Sequence, residues 1–325
     1  MEQRMLGRSR IKISPLGMGC WAIGGLWSML DGPEPRPGGW GHVDDAESIR
    51  TIQQAVDLGI NFFDTAANYG CGHSERILGQ AVADRREQVV IATKFGHVID
   101  EETKIMRPDD SVVLANLRGD CEASLRRLGT DYIDLYQFHE GEFDPVEATG
   151  VRDLLEELVK EGKIRAYGWS TDLVDRAEVF AEGEHCASIQ FRLNVIFDAP
   201  EMLALCEACD LASINKSPLF MGLLTGKFTP DSTFGTDDVR NAWNFKGEQG
   251  QNRLKQVDAL REVLTSDGRT PAQGALAWIW ARSERTIPLP GFKNQQQVEE
   301  NAGALHFGPL NSSQMAQIDS ILGRA

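Results

Sequence analysis

In Gly59-Ile60-Asn61-Phe62-Phe63-Asp64-Thr65-Ala66, a glycine hands over to a short apolar run that ends on a carboxylate. Upstream, Asp44 and Glu47 stand at capping-box spacing, and Ile49, Ile52 and Val56 recur on one helical face until Gly59 stops the helix. The run that follows shows no polar alternation. It reads as a strand covered on both faces, the kind found in parallel sheets between helices.

The same exchange of helix for strand repeats along the chain. Strand-like runs occupy 14–20 (around Leu16-Gly17-Met18-Gly19), 60–65, 89–95, 132–139, 164–170, 187–194, 211–217 and 286–289. Leu114, Leu117, Cys121, Leu125 and Leu128 make one helical stripe, closed by Gly129. Val151, Leu154, Leu155, Leu158 and Val159 make another, closed by Gly162, and Thr270-Pro271 opens a further helix. No Pro/Gly/Ser linker divides the chain, so residues 1–325 read as a single domain. Eight strands, each followed by a helix or a long loop, predict an α/β fold of the (β/α)8 TIM-barrel type. Residues 5–13, around Gly7-Arg8-Ser9, predict an N-terminal β-hairpin ahead of the first barrel strand. Residues 21–42 and 227–250 break the rhythm. As long loops after strands, they belong on the C-terminal face, where barrel enzymes carry their active sites.

Composition narrows the function. The chain has 325 residues, 42% of them hydrophobic, with 33 basic against 48 acidic side chains and a net charge of −15. Such an acidic protein is a poor ligand for phosphate backbones, so no nucleic-acid partner is expected. No apolar run is long enough to span a bilayer, and Met1-Glu2-Gln3-Arg4-Met5 lacks the apolar core of a secretory signal, which predicts no membrane association and a cytoplasmic location. Six cysteines are too few for a disulfide scaffold. Cys206 and Cys209 form a CxxC inside a helical stretch without a second ligand pair, so no metal is expected.

Reading the carboxyl ends of the strands gives Asp64, then Lys94 after Val89-Val90-Ile91-Ala92-Thr93, then His139 after Tyr136-Gln137-Phe138, with Tyr69 five residues past Asp64. Singly, each has an ordinary reading: a turn cap, a lysine reaching solvent, a loop aromatic, a core imidazole. Charges closing apolar strands are costly unless paired, however, which predicts that Asp64 and Lys94 meet.

This ordered set closely resembles the aldo-keto reductase superfamily over essentially the whole chain. The resemblance is carried by Gly59 to Ala66, Tyr69-Gly70, Gly72-His73-Ser74-Glu75, Ser217-Pro218-Leu219, Gly222-Leu223-Leu224-Thr225-Gly226-Lys227, Ile287-Pro288-Leu289-Pro290-Gly291-Phe292-Lys293, Gln297 and Glu300-Asn301. It implies reversible reduction of an aldehyde or ketone, sugar-derived carbonyls included, with hydride from a nicotinamide cofactor. Tyr69 is then the general acid and base, Lys94 draws its pKa down, Asp64 pairs with Lys94, and His139 positions the carbonyl.

No Rossmann fingerprint is present, since Ala22 interrupts the pattern begun by Gly17 and Gly19. The resemblance instead lays the cofactor across the barrel top, near Gly19, Cys20 and Trp21. It puts Ser170, Thr171 (where asparagine is commonest) and Gln190 at the carboxamide, and Lys216 where an aromatic often stacks. Ser217, Pro218, Leu219, Gly222 and Lys227 fall on the pyrophosphate side, and Gly291, Lys293, Gln297, Glu300 and Asn301 on the adenosine side. Lys293 suits a 2′-phosphate, which favours NADPH over NADH, although Gln297 replaces a common arginine. Trp21, Trp27 and Trp40 are expected to line the substrate pocket, and Glu140-Gly141-Glu142 gives an acidic rim compatible with hydroxylated substrates. Two other functions fit less well: a cofactor-sensing, non-catalytic regulatory subunit of the β-subunit type, and a barrel isomerase or hydrolase using Asp64 and His139. The sequence does not give the oligomeric state.

Overall fold

The computed structural model describes residues 3–324. Met1 and Glu2, part of the start read for a secretory signal, lie outside the described residues, as does Ala325. Eight strands, β1 (Gly17–Gly19), β2 (Phe62–Asp64), β3 (Val90–Phe95), β4 (Ile133–Phe138), β5 (Ile164–Ser170), β6 (Cys186–Arg192), β7 (Ala212–Lys216) and β8 (Thr286–Pro288), lie side by side in chain order. Every neighbouring pair is parallel. Closure comes just past β8, where the Gly19 N–H donates to the Pro290 carbonyl at 3.0 Å and Gly19 bridges Gly291. The predicted barrel is the observed one.

The inward-facing residues change character along the barrel axis. Phe62, Val90, Ala92, Leu135, Ala166, Ala212 and Ile287 form an apolar cluster with Leu6, Ile11 and Ile13 of the N-terminal hairpin (Arg4–Met5 paired with Lys12–Ile13). The hairpin thus plugs the amino end. Two residues further along β2, β3 and β4 the same inward columns present Asp64, Lys94 and Gln137, and four residues past Ala166 β5 presents Ser170. A dry floor and a polar upper layer follow from the period-two alternation of each strand.

Helices α1 (Asp45–Asp57), α2 (His73–Ala81) and α3 (Val113–Leu128) show how far the stripes were readable. Asp44 caps α1 by accepting from the Glu47 N–H at 3.0 Å, but the Glu47 carboxylate turns to Arg50 (2.8 Å), so the capping box is one-sided. In α3, Leu117, Cys121, Leu125 and Leu128 are buried, whereas Leu114 is 41% exposed and Val113 takes its place inside. Full capping boxes lie at the helices Pro271–Arg282 and Ser312–Leu322, where Thr270 with Gln273, and Asn311 with Gln314, satisfy each other's backbone.

Helix α2 packs closely on the end of α3 through Gly79, where an added Cβ would sit 2.3 Å from the Leu128 carbonyl oxygen. Alanine gains about 1 kcal/mol of helix propensity over glycine, while overpacking costs about 1–3 kcal/mol. Gly79→Ala is therefore expected to lower the urea midpoint; a raised midpoint would show that α2 and α3 separate freely.

The two irregular stretches are more ordered than their composition suggests. Residues 21–42 contribute the short strands Ser28–Met29 and Arg36–Pro37, which join a hairpin of His97–Asp100 and Ile105–Pro108 in a second, four-stranded sheet. The 227–250 stretch folds around Phe228, Phe234, Trp243 and Phe245, with the Arg240 guanidinium over Phe234 and Trp40. The Val239 N–H donates to the Gly39 carbonyl at 2.8 Å, which ties the two loops together. Among the described residues, no helix is long and apolar enough to cross a membrane, and no group of three or more His, Cys, Asp or Glu side chains is placed to hold a metal.

Candidate active site

Asp64, Lys94 and Gln137 end three adjacent barrel strands and converge at the upper layer. The Lys94 ammonium donates to Asp64 Oδ1 (2.6 Å), to the Thr65 carbonyl (2.8 Å) and to the Tyr69 hydroxyl (3.1 Å). All three of its protons are thus aimed. Asp64 Oδ2 accepts from Gln137 Nε2 at 2.9 Å and from Gln190 Nε2 at 2.8 Å. A carboxylate holding three donors, one of them charged, is compatible with its near-complete burial.

Tyr69 reaches this cluster from a tight turn after β2. Gly70 there has φ 65°, and an added Cβ would lie 1.9 Å from the Gly24 carbonyl, so only glycine fits. Glu75, in the adjoining helix, is fully buried between Arg127 (2.5 Å) and the Thr93 hydroxyl (2.6 Å). It thereby fixes the residue before Lys94. The His139 ring lies edge-on to Tyr69, with centroids 6.0 Å apart, and the His139 backbone N–H donates to the Phe95 carbonyl at 2.8 Å.

The electrostatics differ from the simple expectation for the phenol. Burial pushes Tyr69 above its ordinary range, and the Lys94 charge only partly pulls it back. Burial alone would discharge Lys94, but Asp64 and Tyr69 outweigh it and hold the ammonium above its usual range. Burial, followed by the Lys94 charge, holds His139 well below the ordinary imidazole value, so it is neutral at pH 7. The site thus offers a protonated phenol, a fixed cation and a neutral imidazole.

These groups open into a cleft of about 900 Å³ across the barrel top. Gly19, Trp21, Gln190, Lys216, Ser217, Pro218, Leu219, Gly222 and Lys227 line it, as do Gly291, Lys293, Gln297, Glu300 and Asn301, together with Trp27 and Trp40. Three expected cofactor contacts do not. Cys20 is fully buried in the core, and burial pushes its thiol up. The Thr171 hydroxyl is used locally, donating to the Gly141 carbonyl at 2.7 Å and accepting from the Leu173 N–H. Ser170 reaches the site only through Gln190, donating to Oε1 at 3.3 Å. Gln190 is on the cleft wall, yet both ends of its amide are engaged, by Ser170 and Asp64.

Sequence reasoning missed Gln137, Asn68, His97 and Arg240. Gln137 was signalled by a polar residue in an apolar strand, two positions before His139. Arg240 carried no local signal; its place on the wall comes from the fold of the 227–250 loop. At the far end of the cleft, the Lys293 ammonium donates to the Trp40 carbonyl and its backbone N–H to Gln297 Oε1 at 2.7 Å. Ser217, Phe220 and Met221 all have φ between 45° and 56°, a left-handed backbone that costs non-glycine residues energy and persists where the surroundings impose it. A long cleft with such a bend, four cationic side chains (Lys216, Lys227, Arg240 and Lys293) and the Asn301 side chain in its wall fits an extended dinucleotide.

The comparisons with known proteins agree. Residues 15–323 match the model of the Aldo/keto reductase family. The chain belongs to this family. An NADH-specific methylglyoxal reductase of Escherichia coli (strain K12) is 36% identical over 324 residues, with 94% of each chain covered. An aldo-keto reductase of Bacillus subtilis (strain 168) is 33% identical, covering 99% of this chain and 94% of its own. Among solved structures, a glycerol dehydrogenase from Gluconobacter oxydans superposes with a TM-score of 0.82 at 31% identity, covering 99% of this chain and 95% of that one. This aldo/keto reductase is an NAD(P)H-dependent oxidoreductase that interconverts carbonyls and alcohols.

Proposed function

We propose that Tyr69 is the acid–base residue of this reductase, with Lys94, Asp64 and His139 arranged around it, and that the described chain works as one domain. The observation that carries this reading is the unbroken line of contacts Asp64–Lys94–Tyr69 at the cleft floor. When bound, the reduced nicotinamide supplies the hydride. Tyr69 gives its hydroxyl proton to the carbonyl oxygen, and Lys94 stabilises the phenolate left behind. Asp64 keeps Lys94 charged and aimed, and Gln137 and Gln190 keep Asp64 in place. His139, being neutral, donates a hydrogen bond that orients the carbonyl. Six free thiols suit work in the reducing cytoplasm.

Loss of NADPH absorbance on addition of small aldehydes and ketones tests this reading; no turnover across the panel would refute it. The pH dependence follows from the site. Reduction needs the protonated phenol, which burial holds above its ordinary value of about 10. Its kcat/KM is therefore expected to stay flat through neutral pH and fall only in strong alkali, while alcohol oxidation, which needs phenolate, climbs with pH. A limb for reduction near neutrality would contradict the assignment.

For the cofactor, Lys293, Lys227 and Arg240 at one end of the cleft support NADPH over NADH. Tryptophan fluorescence titration is expected to show tighter binding of NADPH, with Lys293→Ala narrowing the difference about tenfold, the size of one charge-assisted contact. An unchanged ratio would remove Lys293 from 2′-phosphate recognition.

A further inference from the structure

Asn68, His97 and Glu140 lie at the catalytic end of the cleft and have no part in the acid–base work described above. Each lies within three residues of that site along the chain. Asn68 precedes Tyr69, and Glu140 follows His139. His97 comes just past Lys94 and is turned inward by Gly96, which has φ 117° and whose added Cβ would meet the Phe138 ring at 2.9 Å. Trp21, Trp27, Met29 and Met106 line the same cleft, as does Asp31, whose carboxylate is paired with Arg36. A polar trio in this wall needs a reason, because polar groups out of water are normally paired.

Their pairing with one another is incomplete. His97 Nε2 stands 3.4 Å from Glu140 Oε2, longer than the about 2.7–2.9 Å of a formed charge-assisted bond. Asn68 Nδ2 is 3.5 Å from His97 Nδ1, at the outer limit of a contact. Asn68 is only 5% exposed, and its Oδ1 has no partner. Turning the amide over leaves the other end unpaired instead. The backbone beneath is nevertheless rigid: the Trp169 indole N–H bonds the Glu140 carbonyl at 2.9 Å. Donor and acceptor capacity is thus held in place and unspent.

We infer that Asn68, His97 and Glu140 bind a hydroxyl group next to the reacting carbonyl, so that the preferred substrates are small hydroxy-aldehydes and hydroxy-ketones. A hydroxyl fits this set because it can donate to the Glu140 carboxylate while accepting from the His97 N–H. The His97 and His139 ring centroids are 5.1 Å apart, so a group held at His97 belongs to a carbon close to the one that reacts. Asn68 orients His97 and gains a partner in a second hydroxyl. A site built to hydrogen-bond a hydroxyl discriminates against the analogue without it, because the buried polar groups are then left unpaired.

The inference rests on the carbonyl-reductase reading, and the test separates the two. It compares kcat/KM for glyceraldehyde and for propanal, which lacks the hydroxyls, in the wild type, His97→Phe, Glu140→Leu and Glu140→Gln. The wild type is expected to favour glyceraldehyde by about tenfold or more, and His97→Phe and Glu140→Leu to lower that ratio by about tenfold. Glu140→Gln, which keeps an acceptor oxygen, is expected to restore part of it. A structural role alone would lower both substrates together and leave the ratio unchanged, which would overturn the inference. Equal wild-type activity on the two aldehydes would also overturn it while leaving the reductase reading intact. Failure to reduce either would overturn both.

Discussion

Tyr69→Phe is expected to lower kcat for carbonyl reduction by about 10³-fold, the middle of the range for a positioned acid. The substitution removes one oxygen and little else. The ring keeps its stack on Trp21, with centroids 6.1 Å apart, and its edge contact with His139. Lys94 keeps Asp64 and the Thr65 carbonyl, so no buried charge loses its counterpart. Stability should therefore change by no more than about 1 kcal/mol, the value of one ordinary hydrogen bond. Steady-state kinetics, with NADPH binding followed by tryptophan fluorescence, separates the two effects. A variant that binds cofactor and turns over within tenfold of the wild type would exclude Tyr69 as the proton donor.

Lys94→Met should damage both fold and activity. Deleting one partner of a buried ion pair leaves the other charge uncompensated, at a cost of about 3–5 kcal/mol. Gln137 and Gln190 would still donate to Asp64, but neutral amides do not replace an ammonium 2.6 Å away. The loss is therefore expected near the upper end of what single substitutions produce. Urea unfolding of the variant measures it. A loss below about 1 kcal/mol would mean that Asp64 takes up a proton in the folded protein and that the pair is not held as ions.

The barrel was legible because its strands are apolar on both faces and its helices are punctuated by glycines at 59, 129 and 162, all with positive φ. The meeting of Asp64 with Lys94 was legible for the opposite reason: they are charges closing apolar strands, where physics demands a partner. What could not be read depends on three-dimensional neighbours. Cys20 and Thr171 adjoin residues near the cleft, yet consecutive side chains point to different sides, and both face away. The His97–Asp100 and Ile105–Pro108 strands are too short and too charged to show alternation, so the second sheet and His97 stayed hidden. The phenol's raised pKa was missed because the sequence shows the Lys94 charge but not the depth of burial that outweighs it.

The most direct test of Tyr69 and Lys94 as one acid–base unit is a double-mutant cycle on the single-turnover reduction rate, run on variants shown to bind NADPH. If Lys94 acts through the phenol, Tyr69→Phe combined with Lys94→Met should be scarcely slower than Tyr69→Phe alone, since the second change removes help from a group already gone. If instead the two losses multiply, the ammonium and the phenol act on the reaction independently, and the shared proton-donating site described here does not exist.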